Sequence, residues 1–528
     1  MKITSPLCLA LVALLPFSAS AQLQQACILL SDGNVETSQG GAIQTADGGF
    51  AIAGTRVNGV QEDVTLAKLD ANGGLEWFKV ISTTGGDWGE SVLQTSDGGF
   101  AIGGYTDTPD GRAFLLLKLG ASGAFEWAKT YAQPGFSLYI ENDGFIQTSD
   151  GGFAFCGSRF SNDGCCLLRT NAVGDPLWSK VLETYLINGR DIAETPDGDL
   201  VMVAGAAVGF PNGLVARMEG LTGVEIWKNS YSIATNDLIY PYSVTIGLNN
   251  SIVLCGSQVP NSGAGAGNGG VDMVAMSLAS DGTPQWVTML GSADNEHGSA
   301  IATTPDGDYI LAGDSWTGGG ATLDGYAARL NDVGQLQWAK RLPFPGTSSQ
   351  ILHASIAADG DYLFSGYRGG ALGDPFWKMD PAGITCPYCG SNAYGAALSS
   401  TVNVLPPGAG SIVDNWAVAN TATYTVTDIT ATVNNDVCGT TVIEDPTAQA
   451  VVSIAPNPFS TSTTITVPQE WVGSARLVLH DMLGREVRSS RITSSVVRVD
   501  RDDLKAGPYS YRVVGVHGAL ASGVLLVE

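Results

Sequence analysis

Few side chains in this chain of 528 residues have the type and spacing that nucleophilic, acid–base or metal chemistry requires. Among four His, His297 stands in the run Asp-Asn-Glu-His-Gly-Ser at 294–299, which a catalytic triad or a metal site could use. The matching stretch of an earlier repeat, 87–91, has no His, so we expect a solvated loop. His353 lies in an apolar run and is expected to pack within a strand. Because Gly-x-Ser-x-Gly, His-Glu-x-x-His and phosphate-binding glycine motifs do not occur in the sequence, no catalytic residue is assigned.

The strongest candidates for ligand contact lie in segments whose length varies from repeat to repeat. Such segments on a rigid scaffold commonly carry binding residues, and an exposed Trp beside carboxylates suits stacking on a sugar. The predicted ligand-binding residues are Trp88, Trp316, His297, Asp87, Asp294 and Asp324. For any one of them taken singly, an ordinary loop residue is the alternative interpretation.

A repeated sequence pattern positions these candidates. Gln-Thr-x-Asp-Gly-Gly-Phe occurs at 44–50, 94–100 and 147–153, and weaker copies follow near 195, 248, 304 and 358. Most repeats carry a second turn, Asp-x-x-Gly-x-x-x-Trp in its fullest form, and both turns contain glycines that supply the positive φ of tight hairpins. Since short runs of alternating apolar and polar residues separate the turns, one repeat predicts four antiparallel strands.

The copies recur every 47 to 57 residues, which predicts an all-β chain whose residues 22–390 form a seven-bladed β-propeller. The last copy lacks its final strand, whereas residues 26–30 precede the first copy at the spacing of a fourth strand. We therefore predict that the N-terminal strand completes the last blade and closes the ring. A solenoid is the alternative, but its terminal caps are missing. The two recurring turns share one face, so the variable segments share the other.

The Asp-x-x-Gly-x-x-x-Trp element resembles the tryptophan-docking motif of quinoprotein-type propellers, which implies the same fold. Some members of that family hold a quinone and calcium, but the charged cluster for such a cofactor is missing here, so no cofactor is predicted. We expect the following Trp to pack blade against blade: Trp77, Trp127, Trp178, Trp227, Trp286 and Trp338. Calcium at the Asp-Gly turns is kept as an alternative, because carboxylates and turn carbonyls suit that ion.

Composition and the N-terminus indicate an exported protein. The net charge of −25 disfavours binding to nucleic acid or to anionic membranes. Met-Lys, the apolar stretch 6–17 and Ala-Ser-Ala at 19–21 predict a signal peptide over residues 1–21, and nothing later reaches the length of a membrane span.

Eight Cys remain after the predicted cleavage, and disulfides are the default expectation in an oxidising compartment. The predicted pairings are Cys156 with Cys165 or Cys166, and Cys27 with Cys386 or Cys389. A redox or zinc role for Cys-Pro-Tyr-Cys at 386–389 is the weaker alternative, because no second pair or nearby His completes a tetrahedral site.

Residues 391–446, rich in Ala, Thr, Val and Asn, predict a small β segment or linker. Four motifs then follow in order, at 453–459, 463–467, 478–487 and 504–513: Ser-Ile-Ala-Pro-Asn-Pro-Phe, Thr-Thr-Ile-Thr-Val, Val-Leu-His-Asp-Met-Leu-Gly-Arg-Glu-Val and Leu-Lys-Ala-Gly-Pro-Tyr-Ser-Tyr-Arg-Val. They resemble the type A C-terminal sorting domain of the type IX secretion system, here over 447–528. The resemblance implies a seven-stranded β-sandwich, recognition by that machinery at the outer membrane, and release or surface attachment after the domain is removed. These domains commonly end with a basic residue, whereas here Gly523 is followed by Val-Leu-Leu-Val-Glu.

Together these features predict a secreted or cell-surface, non-catalytic binding protein, exported through the periplasm, whose variable face engages a glycan or a protein. A secreted carbohydrate-active hydrolase or lyase on the propeller scaffold is the alternative. Whether the protein is an enzyme stays open, and an essential pair among Asp87, Asp294 and Asp324 would favour the enzyme.

Overall fold

The structure is a computed structural model. It describes residues 26–31, 37–58, 61–83, 85–140, 143–160, 164–183, 187–206, 213–233, 237–259, 270–292, 294–317, 322–342, 348–368, 375–383, 391–393, 396–399, 402–405, 411–414, 418–421, 425–428, 432–434, 453–455, 459–480, 486–502, 504–515 and 518–527. The predicted signal peptide and the cysteines at 386 and 389 lie outside these residues. The chain divides into two compact units, Met1–Thr440 and Thr441–Glu528, while the predicted domain boundaries stay predictions.

In the first unit the strands follow the sequence repeats, and each set of strands is named here by its repeat number. β1 (Ala26–Ser31) precedes the repeats. Repeat 1 contains β2 (Thr37–Gln44), β3 (Phe50–Asn58), β4 (Gln61–Leu69) and β5 (Leu75–Ser82). Repeat 2 contains β6 (Asp87–Gln94), β7 (Phe100–Thr108), β8 (Gly111–Leu119) and β9 (Phe125–Ala132). Repeat 3 contains β10 (Leu138–Tyr139), β11 (Phe145–Gln147), β12 (Phe153–Arg159), β13 (Cys165–Thr170) and β14 (Pro176–Glu183).

The remaining repeats have the same order. Repeat 4 contains β15 (Ile187–Glu194), β16 (Leu200–Ala206), β17 (Leu214–Met218) and β18 (Glu225–Ile233). Repeat 5 contains β19 (Asp237–Ile246), β20 (Ile252–Val259), β21 (Asp272–Leu278) and β22 (Pro284–Gly291). Repeat 6 contains β23 (Asn295–Thr303), β24 (Tyr309–Thr317), β25 (Thr322–Leu330) and β26 (Leu336–Leu342). Repeat 7 contains β27 (Ser349–Ile356), β28 (Tyr362–Arg368) and β29 (Pro375–Met379). The prediction of an all-β chain built from four-stranded antiparallel sheets is confirmed, and the arrangement is propeller-like.

Apolar cores lie between neighbouring sheets, because both faces of the inner strands are buried. Val64 and Leu66 of repeat 1, for example, share a core with Ile102 and Leu117 of repeat 2. The Trp after the second turn adds to this packing. A Cβ at Gly334 of repeat 6 would lie 2.5 Å from the ring of Trp286 in repeat 5, and Gly334 has a φ of +80°. The Trp rings therefore cover glycine turns of the next sheet, which confirms the predicted packing of Trp77, Trp127, Trp178, Trp227, Trp286 and Trp338.

The first and last repeats meet. β1 pairs antiparallel with β29, with Cys27 opposite Trp377, so the predicted completion of the last repeat by the N-terminal strand is confirmed. Repeat 7 also packs on repeat 1, because the Ser355 hydroxyl donates to the carbonyl of Ala42 over 3.0 Å.

The segment after the repeats contributes a strand to the outer edge of every repeat sheet. Its strands are β30 (Ser391–Ala393), β31 (Ala396–Ser399), β32 (Val402–Leu405), β33 (Ser411–Asp414), β34 (Val418–Thr421), β35 (Thr425–Asp428) and β36 (Thr432–Asn434). They pair antiparallel with β26, β22, β18, β14, β9, β5 and β1, in that order. The alternating stretch 420–433 is thus divided among three strands in three sheets.

The second unit contains two antiparallel sheets. One has β37 (Ser453–Ala455), β38 (Ser462–Thr466) and β41 (Val496–Asp500), and the other has β39 (Arg476–His480), β40 (Glu486–Arg491), β42 (Gly507–Gly515) and β43 (Gly518–Val527). A 3₁₀ turn, Gln469–Trp471, leads towards β39. Ile465, Leu477 and Val513 belong to one buried apolar cluster drawn from both sheets.

Candidate functional site

A β-bulge recurs in the first strand of the repeats. The register with the second strand shifts between Gly89 and Ser91 in repeat 2, and between Gly298 and Ala300 in repeat 6. Repeats 1, 4, 5 and 7 shift at the matching place. A bulge inserts one residue and re-aims its side chain. The residues at the bulge position, which we call the bulge residues, are Gly40, Glu90, Arg190, Tyr242, Ser299 and Leu352.

Four bulge residues line a cavity of about 360 Å³ at the first strands of repeats 4 to 7. The lining residues are Arg190, Tyr242, His297, Gly298, Ser299, Asp314, Trp316, Gln350 and Leu352. The volume lies within the range of small-ligand pockets, which combine apolar surface with a few placed polar groups. We call this feature the repeat 4–7 cavity.

Asp314 on β24 organises the polar wall of the cavity. Asp314 is 4% exposed, and its carboxylate accepts a hydrogen bond from Trp316 Nε1 at 3.0 Å. The Nδ1 atom of His297 lies 3.3 Å from the same carboxylate oxygen, and Gln350 Nε2 donates to the other oxygen over 3.4 Å. The rings of His297 and Trp316 meet edge to face at 6.3 Å. One buried carboxylate therefore fixes the orientation of three side chains that face the cavity.

Arg190 and Tyr242 form another part of the lining. The guanidinium carbon of Arg190 lies 4.9 Å from the centre of the Tyr242 ring, within the range of a cation–π contact. Burial lowers the pKa of Arg190 from its ordinary value, but a guanidinium stays protonated in proteins. The cavity thus combines a cation, two aromatic surfaces and hydrogen-bonding groups.

A second group of titratable side chains comes from repeats 2, 3, 4 and 7. His353 Nδ1 of repeat 7 lies 2.7 Å from an Asp143 carboxylate oxygen of repeat 3, although the two residues are 210 positions apart. Burial raises the pKa of Glu90 to about 7, and the charge of His353 opposes that rise. Burial, with the charge of Asp143 adding to it, also raises the pKa of Asp191 well above its usual range. His353 is buried in a strand as expected, and its partner was not predicted.

The six predicted ligand-binding residues separate into three places. His297 and Trp316 line the repeat 4–7 cavity, and Trp316 is 37% exposed. His297 lies in strand β23 rather than in a solvated loop, because the bulged first strand begins at Asn295. Asp294 and Asp324 both lie 3.8 Å from the guanidinium of Arg341, which also donates to the Ser315 hydroxyl.

Asp87 and Trp88 lie in repeat 2, away from the cavity lining. Asp87 is buried and accepts hydrogen bonds from the backbone N–H of Thr83 at 2.7 Å and the hydroxyl of Thr106 at 2.5 Å. The Trp88 ring stacks on Tyr105 at 4.8 Å, and the Arg112 guanidinium carbon lies 4.3 Å from its centre. Both side chains are therefore occupied by contacts within repeat 2.

Five residues near these places were not predicted from the sequence: Asp314, Gln350, Arg190, Tyr242 and Glu90. A signal for three of them exists in the repeat alignment, because Glu90, Arg190 and Tyr242 share the bulge position while their side chains differ in charge and size. Asp314 and Gln350 stand in ordinary strand positions, and nothing local distinguishes them.

The carboxylates of the Asp-Gly turns, where calcium is the alternative interpretation, have partners within the chain. Asp97 accepts hydrogen bonds from the hydroxyl of Thr95 at 2.6 Å and the N–H of Gly99 at 2.9 Å, and it pairs with Lys118 at 3.0 Å. The Thr95 hydroxyl, the Gly99 N–H and Lys118 lower the pKa of Asp97 to about 2. Similar pairs occur at Asp47–Lys68, Asp150–Arg169, Asp197–Arg217, Asp306–Arg329 and Asp359–Lys378. Across the described part of the chain, no cluster of three or more His, Cys, Asp or Glu is placed to hold a metal ion.

The predicted Cys156–Cys165 disulfide is not present. The two sulfur atoms lie 3.7 Å apart, well beyond the ~2.05 Å of an S–S bond. Cys156, Cys165, Cys166 and Cys255 are buried and form no disulfide. The register explains the distance, because Cys156 is opposite Leu167 and meets Cys165 only diagonally across the two strands. The Cys27 pairing involves residues outside the described part.

Among the residues that the structure describes, no helix is long and apolar enough to cross a membrane.

Comparison with known proteins reveals similarity only to solved structures. No family model and no curated protein matches the chain. A protein of unknown function from Dyadobacter fermentans is 13% identical, with a TM-score of 0.40 over 68% of this chain and 99% of that chain. Sqt1 from Chaetomium thermophilum is 14% identical, with a TM-score of 0.38 over 71% of this chain and 91% of that one. A europium-containing methanol dehydrogenase is 11% identical, with a TM-score of 0.37 over 63% and 73%. All three TM-scores are low, so the fold assignment depends on the strand pairing of the chain itself.

Proposed function

We propose that this protein is a secreted or surface-attached, non-catalytic binding protein that holds a glycan in the repeat 4–7 cavity. The observation that carries the proposal is the set of cavity groups held by Asp314. Sugars are commonly recognised by an aromatic ring that covers an apolar sugar face and by fixed groups that hydrogen-bond the hydroxyls. Trp316 supplies the ring, while His297, Gln350 and Arg190 supply hydrogen-bonding groups.

The scaffold in this proposal is a closed seven-bladed propeller. Pairing of β1 with β29 and the contact of Ser355 with Ala42 support closure. A closed ring leaves no free interface between its first and last sheets, so the first strands of repeats 4 to 7 are held at fixed spacing. Such rigidity lowers the entropic cost of binding a ligand.

The test is retention of the purified full chain on immobilised polysaccharides, with host and biofilm proteins as the second panel. Trp316→Ala should reduce retention on the bound glycan at least tenfold, because the stacking surface is lost. Trp88→Ala is the matched control, since Trp88 is also a partly exposed Trp but stacks within repeat 2. Equal losses in both variants, or retention on proteins alone, would contradict the proposal.

A hydrolase or lyase is the second candidate, and Glu90 is the observation that favours it. A carboxyl with a pKa of about 7 is suited to general acid catalysis, and the His353 whose charge acts on Glu90 also contacts the Asp143 carboxylate. Product analysis of soluble glycans in the same assay tests this candidate. If the unmodified chain forms products and both Glu90→Gln and Asp143→Asn abolish them, the protein is an enzyme. If the unmodified chain forms no products, the binding function stands.

Export by the type IX secretion system through residues 447–528 is the second part of the proposal. The support is the motif series and the two antiparallel sheets with a shared apolar cluster. In a bacterium with this machinery, the repeats should appear outside the outer membrane when the full chain is expressed. They should stay in the periplasm when the expressed chain ends at Pro446. Equal export of both chains would contradict this route.

A further inference from the structure

The segment 391–434, which we call the edge segment, visits the outer strands of the repeat sheets in reverse chain order. After leaving repeat 7 the chain pairs with repeat 6 through β30 and then with repeats 5, 4, 3, 2 and 1. β36 finally pairs with β1 in the repeat 7 sheet. Every repeat sheet therefore has a fifth strand from one continuous stretch of chain.

The last four strands of the edge segment begin at regular intervals. Ser411, Val418, Thr425 and Thr432 are the first residues of β33 to β36, which gives seven residues for each step to the next sheet. Because a fully extended residue spans at most ~3.6 Å, seven residues reach about 25 Å. Each of these three steps between neighbouring sheets is therefore made within that reach.

Pairing at these edges uses the backbone. The outermost strand of a sheet presents unpaired N–H and C=O groups, which can accept a further strand. The edge segment contains no Lys, Arg or Glu. Its two carboxylate residues, Asp414 and Asp428, are opposite Lys180 and Lys79 in the strand register, so charge complementarity adds to the backbone pairing in repeats 3 and 1. Each strand has only three or four residues, and such short strands are stable only because they are linked to one another.

We propose that the outer edges of the repeat sheets form an acceptor surface for an extended polypeptide, which the protein's own edge segment occupies in the monomer. When that segment is displaced, the edge segment of a second copy binds in the same register. An identical sequence reproduces the seven-residue spacing, which an unrelated peptide does not. Exchange of an identical element between copies is an established route to dimers.

The two ends of the segment explain why the own copy is preferred. The edge segment is joined to the rest of its own chain at both ends, through residues 384–390 and through residues 435–450. Its effective concentration at the sheet edges of its own chain is therefore high. Cutting both connections removes this advantage while the folded sheets stay intact. Because the chain is cut only after it has folded, exchange can be measured on a protein that folded with its complete sequence.

The experiment uses the full chain with specific protease sites inserted in 384–390 and in 435–450. After folding and cleavage, the protein is mixed with an excess of a fluorescent peptide of residues 391–434, and bound label is measured by size-exclusion chromatography and mass spectrometry. We expect labelled peptide to replace the own segment at one per protein. Uncut protein should take up at least tenfold less.

A peptide with Ile412→Pro, Ala419→Pro and Val426→Pro is the matched control, because Pro lacks the N–H that a strand ladder requires. It should not exchange, and a shuffled peptide should not bind either. The proposal is overturned if the cut segment stays bound against any excess of labelled peptide. It is equally overturned if the uncut protein takes up as much label as the cut protein. The same holds if the proline peptide or the shuffled peptide binds the cut protein as much as the unchanged peptide does.

Discussion

Repeats 2 and 6 have the same backbone frame but use it differently. Asp87 in repeat 2 and Glu296 in repeat 6 are buried acids that bind the preceding turn, through Thr83 and Ser292 respectively. Each also accepts a hydroxyl from the neighbouring strand, from Thr106 and Ser315. Both first strands continue into a bulge three residues later. The frame is therefore conserved within the molecule down to single hydrogen bonds.

The difference arises one residue further on. Trp88 is opposite Tyr105 in repeat 2, and the two rings stack, whereas His297 is opposite Asp314 in repeat 6. A carboxylate cannot stack, so it holds His297 and Trp316 by hydrogen bonds and the space beside them stays open. The residue opposite Trp88 or His297 thus determines the outcome: Tyr105 fills the space by stacking, whereas Asp314 forms part of a cavity wall.

The largest expected effect tests whether the frame is shared. Asp87→Ala and Glu296→Ala should each lower the free energy of unfolding of the first unit by about 3 kcal/mol, because buried donors lose their acceptor. Urea unfolding measures both. Asp87→Asn and Glu296→Gln, which keep one acceptor oxygen, should cost less. If only one Ala variant is strongly destabilised, the two repeats do not share the same frame.

The bulge position provides a second contrast, because repeat 2 has Glu90 where repeat 6 has Ser299. The folded pKa of Glu90, about 7, lies above that of an unfolded Glu, so the folded state binds the proton more tightly. Stability should therefore fall as pH rises from about 4.5 to 7. Glu90→Gln removes this dependence and should be more stable than the unmodified chain at pH 8, by about 2 kcal/mol.

Thermal unfolding between pH 4 and 8 measures that effect, with Ser299→Ala as the control from repeat 6. Its pH profile should match the unmodified chain. A Glu90→Gln profile that also matches the unmodified chain would show that Glu90 does not titrate in this range.

The smallest effect concerns a feature that both repeats keep. Asp97→Asn in repeat 2 and Asp306→Asn in repeat 6 should each cost about 1 kcal/mol, since these carboxylates are largely exposed and solvent screens their pairs with Lys118 and Arg329. The pKa of each Asp is lowered, so the stabilisation is present above about pH 4. It should be lost as pH falls towards 2. Acid unfolding curves check this, and a loss confined to one repeat would contradict it.

The repeat architecture could be predicted from the sequence because its causes are local. Glycines at turn positions and alternating strands define each hairpin within a few residues, as at Gly48 and Gly98 with their positive φ. The Trp packing and the role of β1 followed from the same period. The edge segment was predicted only as a β segment or linker. Its strands have three or four residues and lie in separate sheets, and no local sequence pattern indicates which strand each one pairs with.

The candidate site was only partly predictable for a related reason. Sequence alone determined that His297 and Trp316 belong to one repeat, and the repeat period related His297 to Trp88. Only the tertiary structure decided that Asp314 binds both, that Arg190 and Tyr242 from other repeats complete the cavity, and that His353 meets Asp143. These contacts join residues from different sheets. Their distances depend on how the sheets pack around one another, which no local sequence pattern specifies.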